Sequence, residues 1–260
     1  MLPERRHQLI LRALREDGPS TIVALAERLG VSPATVRRDL VRLDEEGLLT
    51  RVYGGASPIS GKDEPFTGVA TVRVDQKDAV AQRAAALVKD GATVLLDIGT
   101  TAHRLARRLH GRNLTVVTSN MAVYEELADD AGIELVLLGG MLRRDYRSLV
   151  GFLTEDNLRQ VHADHLFLGA SGVRPDGRVM DTTVVEVPVK RAMIAASDRV
   201  ILLADSAKFP GTGLATVCGP EALDTVVTDG PVDERTAAAL HEAGVAIVEA
   251  VSEAVPPPVG

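Results

Sequence analysis

Apolar residues in the first 46 positions recur at the spacing of three short amphipathic helices. The helices are predicted over residues 3–17, 21–29 and 33–46. Gly18-Pro19 ends the first helix, because glycine and proline together break helical structure. Ser32-Pro33 predicts the start of the third, since serine is a favoured N-cap and proline is favoured at the first helical position.

A change of pattern follows the third helix. Residues 48–56, LLTRVYGGA, are β-prone and close on a glycine pair, which predicts a small hairpin. Residues 57–74 begin with a stretch rich in proline, glycine, serine and charge, and we assign them as a linker. Three short helices and a hairpin predict a winged helix-turn-helix over residues 1–56.

Residues 75–250 alternate between strand-like and helix-like segments. The strands are nearly continuous apolar runs, such as TVLLDI and RVILLAD, which predicts a sheet covered on both faces and largely parallel. The expected fold class is therefore α/β: an N-terminal winged helix-turn-helix plus a larger open α/β domain. We expect the tail, residues 251–260, to be disordered.

The third helix can be divided into two faces by angle. Its inward face is predicted to hold Val36, Leu40 and Leu43, whereas Thr35, Arg38 and Arg42 point outward. An outward arginine near a helix N-terminus suits major-groove recognition, because its guanidinium can bond to two acceptors of one guanine. The predicted contacts to double-stranded operator DNA are Ser32, Thr35, Arg37, Arg38, Arg42, Arg51 and Tyr53.

These contacts are expected to differ in kind. Arg38 and Thr35 are predicted to touch base edges, and Arg37 to hold phosphate. Arg51 and Tyr53, on the hairpin, would touch the DNA backbone or minor groove. Paired half-sites are usual for such heads, so we expect a homo-oligomer.

Small and hydroxyl-bearing turns follow three predicted strands of the larger domain. They are Gly99-Thr100-Thr101, Thr118-Ser119-Asn120 and Gly139-Gly140, with Arg143 or Arg144 shortly after. Ligands of open parallel sheets bind at the carboxyl ends of strands, and free N–H groups at a helix start suit an anion. The pattern therefore predicts an anionic ligand at this edge, although each turn alone is an ordinary strand-to-helix connection.

Charge and cysteine content refine this picture. The net charge of −7 argues against nucleic-acid binding by the chain as a whole. Residues 1–60, however, carry nine arginines and eight acidic residues, so the excess of acidic residues lies in the larger domain. Cys218 is the single cysteine, which suits a reduced, cytoplasmic setting without disulfides. No secretory leader or apolar stretch of about 18 residues is present in the sequence, so no membrane segment is expected.

The run ALAERLGVSPATVRRDLVRLDEEGLLTRVYGGA resembles the N-terminal motif of the DeoR family of bacterial regulators. Tyr53 departs from the family, which usually has histidine there. Later motifs, including LDIGTT, TSN, LLGG, VEVPVKRAM and ADSAKF, resemble the DeoR-type sensor domain in the same order. The positions that match the N-terminal motif are Val31, Ser32, Thr35, Arg37, Arg38, Asp39, Leu40, Gly47, Arg51, Gly54, Gly55 and Ala56.

The resemblance implies a sensor domain similar in fold to ribose-5-phosphate isomerase and a repressor of a carbohydrate operon, released by a phosphorylated sugar. Lys208 would then meet the phosphate. No cofactor or metal is expected. The effector-binding residues predicted from the turns and the resemblance together are Asp97, Gly99, Thr100, Thr101, Ser119, Asn120, Gly139, Gly140, Arg143, Glu186, Lys190 and Lys208.

Other interpretations of these residues stay open. Glu186 and Lys190 have the spacing of an exposed helical ion pair, and Asp205 could simply cap a turn. An isomerase with an accessory DNA-binding head is the alternative function. We expect binding without turnover, because the loop Gly169–Gly172 reads G-A-S-G and offers no carboxylate as a base.

Overall fold

The computed structural model describes residues 3–17, 20–45, 48–52, 55–57 and 65–250. The chain divides into two compact units, Met1–Lys62 and Asp63–Gly260, which we call the head and the body. Each is described by itself.

The head consists of the three helices that the sequence predicts and a small antiparallel sheet, in which a third strand that was not predicted joins the predicted hairpin. The Thr21 hydroxyl caps α2 by accepting from the Ala24 N–H, and Gly30 ends it with a left-handed φ of 63°. The sheet order is β1-β3-β2. The elements are α1 (Pro3–Asp17), β1 (Ser20–Thr21), α2 (Ile22–Leu29), α3 (Pro33–Glu45), β2 (Thr50–Val52) and β3 (Gly55–Ser57).

The inward face of α3 is confirmed. Val36, Leu40 and Leu43 are at most 1% exposed and pack with Ile10 and Leu25 of the other two helices. Burying this stripe fixes α3 against α1 and α2 and leaves its opposite face to solvent.

The body is built on a seven-stranded, wholly parallel sheet of order β15-β14-β12-β9-β4-β5-β6. Alternate residues face opposite sides, so Val94 and Leu96 enter one core and Leu95 the other. The predicted α/β class is confirmed. The strands of this sheet are β4 (Thr93–Leu96), β5 (Leu114–Thr118), β6 (Ile133–Leu137), β9 (Ala163–Gly169), β12 (Ser197–Leu203), β14 (Thr225–Thr228) and β15 (Ala246–Glu249).

Helices cover both faces of this sheet. They are α4 (Phe66–Ala70), α5 (Val74–Ala85), α6 (Thr100–Arg107), α7 (Met121–Leu127), α8 (Phe152–Leu158), α9 (Val187–Ala195) and α10 (Glu234–Glu242), with single 3₁₀ turns at Val184–Glu186, Ser206–Lys208 and Pro220–Ala222. None of the helices in the described part of the chain combines the length and apolar character that crossing a membrane requires.

The strand order reverses between β4 and β9. From β4 the chain moves outward through β5 to β6, then returns to β9 on the other side of β4 and continues to β12. Such a reversal opens a crevice at the carboxyl ends of the two strands, where open α/β sheets bind ligands.

Two antiparallel additions were not predicted from the sequence. One is a hairpin of β7 (Met141–Arg143) and β8 (Ser148–Val150). The other is a three-stranded sheet of β10 (Gly172–Val173), β11 (Val179–Asp181) and β13 (Ala215–Cys218). Their strands have only two to four residues, too short for a period-2 pattern to be distinctive.

The C-terminal part of the predicted linker, 57–74, is helical and packed in the structure. It contains α4, and Phe66 is buried, with ring contacts to His103 and Tyr146. A buried aromatic residue anchors this stretch to the body, so the body begins before residue 75. Residues 58–64 and the tail 251–260 lie outside the described residues.

Candidate DNA interface and candidate effector site

The exposed face of α3 carries two adjacent arginines. Arg37 and Arg38 are both exposed, and neither makes an ion pair within the described part of the chain. Ser32 caps the helix: its hydroxyl accepts from the Thr35 N–H at 3.2 Å and lies 2.9 Å from the Thr35 hydroxyl. Arg42 is exposed on the same helix. Arg51 lies in β2, and Tyr53 falls outside the described residues.

Asp39, between these arginines and the head's core, has a different environment. It is 6% exposed and accepts from Arg6 through both carboxylate oxygens, with His7 Nε2 3.1 Å away. Burial opposes its ionisation, but the bonds from Arg6 and His7 hold the pKa of Asp39 below its ordinary value. Asp39 thus fastens α3 to α1, which sequence spacing alone did not reveal.

A buried ion pair lies at the switch point of the body's sheet. Asp97 follows β4, is fully buried, and accepts from both the Gly169 N–H and the Lys190 ammonium. Lys190 also donates to the Gly169 carbonyl at 3.1 Å and lies 3.6 Å from Asp181. Burial opposes the charge of Lys190, yet Asp97 and Asp181 hold its pKa above the ordinary value. The predicted site residues Asp97 and Lys190 are therefore in contact at this point of the sheet, and Asp181, which was not predicted, lies beside them.

A second ion pair flanks the first. Glu186 is 3% exposed and accepts from Arg143, which the β7–β8 hairpin carries, and from the Ser148 hydroxyl at 3.1 Å. The alternative of an exposed Glu186–Lys190 helical pair is therefore wrong. Both side chains are buried, and each pairs with a residue far away in the sequence.

The turns after β4 and β5 form the floor of this site. Gly99 has a φ of 109°, a conformation that glycine adopts without strain, and Thr100 and Thr101 begin α6 directly after it. Asn120 caps α7 through its oxygen, and its amide nitrogen donates to the Asp97 and Gly99 carbonyls. All the polar groups of the Asn120 side chain are thus used in holding the two turns together.

Two buried polar atoms at these turns have no hydrogen-bond partner among the described residues: Asp97 Oδ1 and Ser119 Oγ. Buried polar atoms are normally satisfied, so these two oxygens are free to bond to a water molecule or to a polar ligand in the crevice.

Gly139 and Gly140, predicted at the effector site, contact α8 in the structure. The Gly139 N–H and carbonyl bond to Asn157 and Thr154 of α8, and a Cβ on Gly140 would lie 2.1 Å from the Thr154 hydroxyl. Close packing against α8 therefore requires glycine at position 140, and the backbone of Gly139 is bonded to the same helix.

Cations gather at the end of β12, near Lys208. Lys77 is 6% exposed, and burial together with the charges of Lys208, Arg104 and Arg73 lowers its pKa from 10.5 to about 8. Asp205 caps the turn that carries Lys208, as the alternative interpretation had it, and it also pairs with Arg73 at 2.7 Å. Sequence reasoning missed Arg73 and Lys77, because neither belongs to a strand-end turn.

Two other features stand apart from this site. A cavity of about 490 Å³ near Leu158, Val161 and Ala192 lies beside the start of β9, at the opposite edge of the sheet. His162 is exposed and pairs with Asp198, and no group of three potential metal ligands occurs among the described residues.

Family models match both units. Residues 6–62 match the DeoR-like helix-turn-helix domain, and residues 72–230 match the DeoR C terminal sensor domain. The chain therefore belongs to the DeoR family of transcriptional regulators.

Named relatives agree with this family. The chain is 33% identical to the glycerol-3-phosphate regulon repressor of Escherichia coli, over 89% of this chain and 92% of that protein. It is 37% identical to the transcriptional repressor AccR of Agrobacterium fabrum, over 86% and 88%. It is 30% identical to the regulator GolR of Listeria innocua, over 95% and 98%.

Among solved structures, ribose 5-phosphate isomerase A of Methanocaldococcus jannaschii matches 52% of this chain and 54% of its own, with 19% identity and a TM-score of 0.39. The β subunit of eIF2B from Chaetomium thermophilum matches 59% and 48%, with 16% identity and a TM-score of 0.41.

Proposed function

We propose that the chain is a sequence-specific repressor of a carbohydrate operon, which leaves its operator when a phosphorylated sugar or sugar derivative binds the body. The observation that carries this proposal is the switch-point site, where unsatisfied buried polar atoms lie at the strand ends that also bear Lys208. The names of two relatives, repressors of the glycerol-3-phosphate regulon and of the aga operon, support a carbohydrate effector.

The two ends of such an effector have different partners in this proposal. The phosphate binds to the N-terminus of α6 at Thr100 and Thr101, with Lys208 and Lys77 supplying charge. Hydroxyl groups bond to Asp97 Oδ1 and Ser119 Oγ. Asn120, Gly139 and Gly140 shape the site without touching the ligand. In the head, Arg38 and Thr35 contact base edges, and Arg37, Arg42, Arg51 and Tyr53 contact the DNA backbone.

The effector site is tested by Lys208→Ala, with Lys89→Ala as the control, since Lys89 is an exposed lysine of the same unit. Operator DNA release is titrated with glycerol 3-phosphate and a panel of hexose and pentose phosphates. Lys208→Ala is expected to bind operator normally and to need at least about tenfold more of the active compound, because it loses a charge-assisted contact. Release at the wild-type concentration contradicts the assignment.

The DNA-binding function is tested separately. The protein is expected to prefer the DNA upstream of its own gene over scrambled DNA of the same length by about 10³-fold or more at physiological salt. Equal affinity for both sequences contradicts the function whatever the effector does.

A specific observation keeps an isomerase activity as the second candidate. Although the Gly169–Gly172 loop has no carboxylate, β4 and β11 bring Asp97 and Asp181 beside Lys190. We infer that the site binds a sugar phosphate without turning it over, because both carboxylates are already paired with the Lys190 ammonium. Deuterium incorporation from D₂O into a sugar phosphate, lost in Asp181→Asn, would reverse this ranking.

A further inference from the structure

Helix α4 is too short to be stable by itself. It has five residues with Gly68 in the middle, whereas an isolated helix needs roughly 12–15 residues to be even marginally stable in water. Its folding therefore depends on contacts with the rest of the body. It is also the first described element of the body, and residues 58–65 join it to β3 of the head. We call residues 65–72 the α4 segment.

Phe66 anchors one side of the α4 segment. Its side chain is 3% exposed, and its ring centroid lies 5.8 Å from that of His103 on α6 and 6.4 Å from that of Tyr146. The Phe66 N–H donates to the Asp145 carbonyl at 2.7 Å. None of these partners belongs to the residues that we assign to the effector's phosphate, so the anchor and the phosphate site are separate.

Two cations hold the other side of the α4 segment. The Lys77 ammonium donates to the Val69 carbonyl at 2.7 Å, and the Arg104 guanidinium donates to the Ala70 carbonyl at 3.1 Å. Both side chains come from the helices that follow in the chain, Lys77 from α5 and Arg104 from α6. The position of the α4 segment therefore depends on where these two cations lie.

The same two cations face the proposed phosphate. Arg104 lies one helical turn after Thr100, at the start of α6, and Lys77 is close enough to Lys208 and Arg104 for their charges to lower its pKa. An ammonium has three donors and a guanidinium five, so each can bind phosphate and keep its backbone carbonyl. A phosphate would also offset the mutual repulsion of the cations that hold the α4 segment.

We propose that the α4 segment is a strap that the effector's phosphate fastens, because Lys77 and Arg104 bind the phosphate and the carbonyls of Val69 and Ala70 together. The proposal rests on the proposed function, since it requires a phosphate beside Lys77. Such coupling is reciprocal: the ligand stabilises the segment, and loosening the segment weakens the ligand. Occupancy of the site thus changes the body at the point where residues 58–65 lead to the head.

Hydrogen exchange tests the first half of this coupling. The N–H groups of Gly68, Val69, Thr71 and Val72 are bonded within the α4 segment, so their exchange reports its opening. With inorganic phosphate at about ten times its dissociation constant, their exchange is expected to slow about tenfold, because the ligand binds only the fastened segment. The amides of α10 provide the reference and are expected to exchange at an unchanged rate.

Calorimetric titration with inorganic phosphate tests the second half. Phe66→Ala removes the anchor without touching Lys77 or Arg104, and phosphate affinity is expected to fall about tenfold, because fewer molecules have the segment in place. Phe66→Leu keeps an apolar anchor and is expected to restore most of the affinity. The control is Leu214→Ala, at a 70% exposed leucine of the same unit, which should bind phosphate as the wild type does.

Two results overturn the proposal: phosphate binding that leaves the exchange of the α4 segment unchanged, or wild-type phosphate affinity in Phe66→Ala. If Phe66→Ala does not fold, the exchange measurement on the wild type decides. Absence of any phosphate binding removes the phosphate site and this proposal together. The operator preference and the Lys208→Ala experiment do not depend on the α4 segment, so they show whether the proposed function stands when the strap fails.

Discussion

The head and the body use their cations in opposite ways. In the head, Arg37 and Arg38 stand exposed on α3 without an ion pair to any described residue. In the body, Lys190 and Arg143 are tied to Asp97 and Glu186 at the end of the sheet. Exposed cations attract a polyanion through counterion release, at an affinity that salt controls. Buried ion pairs instead hold the side chains of the candidate site in one arrangement, and we propose that a ligand competes for those bonds.

The largest expected effect lies in the buried pair. Lys190→Met leaves Asp97 without its countercharge, and the free energy of unfolding is expected to fall by about 3–5 kcal/mol in urea denaturation. The matched control is Arg159→Met, which breaks the exposed Arg159–Asp156 pair and should cost no more than about 1 kcal/mol.

A double variant separates charge from packing. Lys190→Met with Asp97→Asn removes both charges, so most of the lost stability should return. If the double variant is as unstable as Lys190→Met, packing and not the unpaired carboxylate is responsible.

Substitutions of the two exposed arginines of the head are expected to have different effects on DNA binding. Arg38→Ala should reduce the preference for operator over scrambled DNA by about 1–3 kcal/mol, because a base contact is lost. Arg37→Ala should weaken binding to both DNAs alike and lower the slope of log affinity against log salt by about 1. Equal, sequence-blind losses in both variants, measured by fluorescence anisotropy, would contradict the division of the α3 face.

The pH dependence of effector binding reports on Lys77. Its pKa is lowered from 10.5 to about 8, so it is charged below that pH and neutral above it. On the proposal that Lys77 supplies charge to the phosphate, effector affinity is expected to fall about tenfold between pH 7 and 9, as this cation is lost. Folding stability has the opposite pH dependence. Between pH 8 and 10.5 the Lys77 side chain is protonated in the unfolded chain and neutral in the folded one, so this group makes stability rise with pH.

Lys77→Arg is the control for this titration, because arginine stays charged throughout the range. The variant should bind the effector with a flat profile between pH 7 and 9 in calorimetric titrations. A tenfold fall in Lys77→Arg as well would assign the pH dependence to another group.

The smallest effect concerns the cap of α3. Ser32→Ala removes the hydroxyl that accepts from the Thr35 N–H and is expected to cost the head about 1 kcal/mol. Ser32→Asn retains a capping oxygen and should restore most of that stability in thermal unfolding. If Ser32→Ala weakens DNA binding far beyond this loss, Ser32 touches DNA directly, as first predicted.

Predictions from the sequence were confirmed where the structure depends on a local pattern of apolar residues. Helical spacing placed Val36, Leu40 and Leu43 in the head's core, and apolar runs predicted the parallel strands. The alternative of an exposed Glu186–Lys190 pair was wrong, because a favourable helical spacing does not say whether the helix faces solvent or another element. The partner of Lys190, Asp97, lies 93 residues away. Sequence reasoning also did not single out Tyr146, which lies between β7 and β8. The guanidinium carbon of Arg143 lies 5.5 Å from the centroid of the Tyr146 ring.

The sequence by itself determined the two units, the exposed arginine face of α3 and the set of turns that end the body's strands, since each depends on neighbours within a few residues. Only the tertiary structure decided which of those turns meet, which charges are buried together, and that Gly140 packs closely against α8. The physical reason is the strand order, which reverses between β4 and β9. That reversal brings Asp97, Gly169 and Lys190 into contact, and no local pattern encodes it.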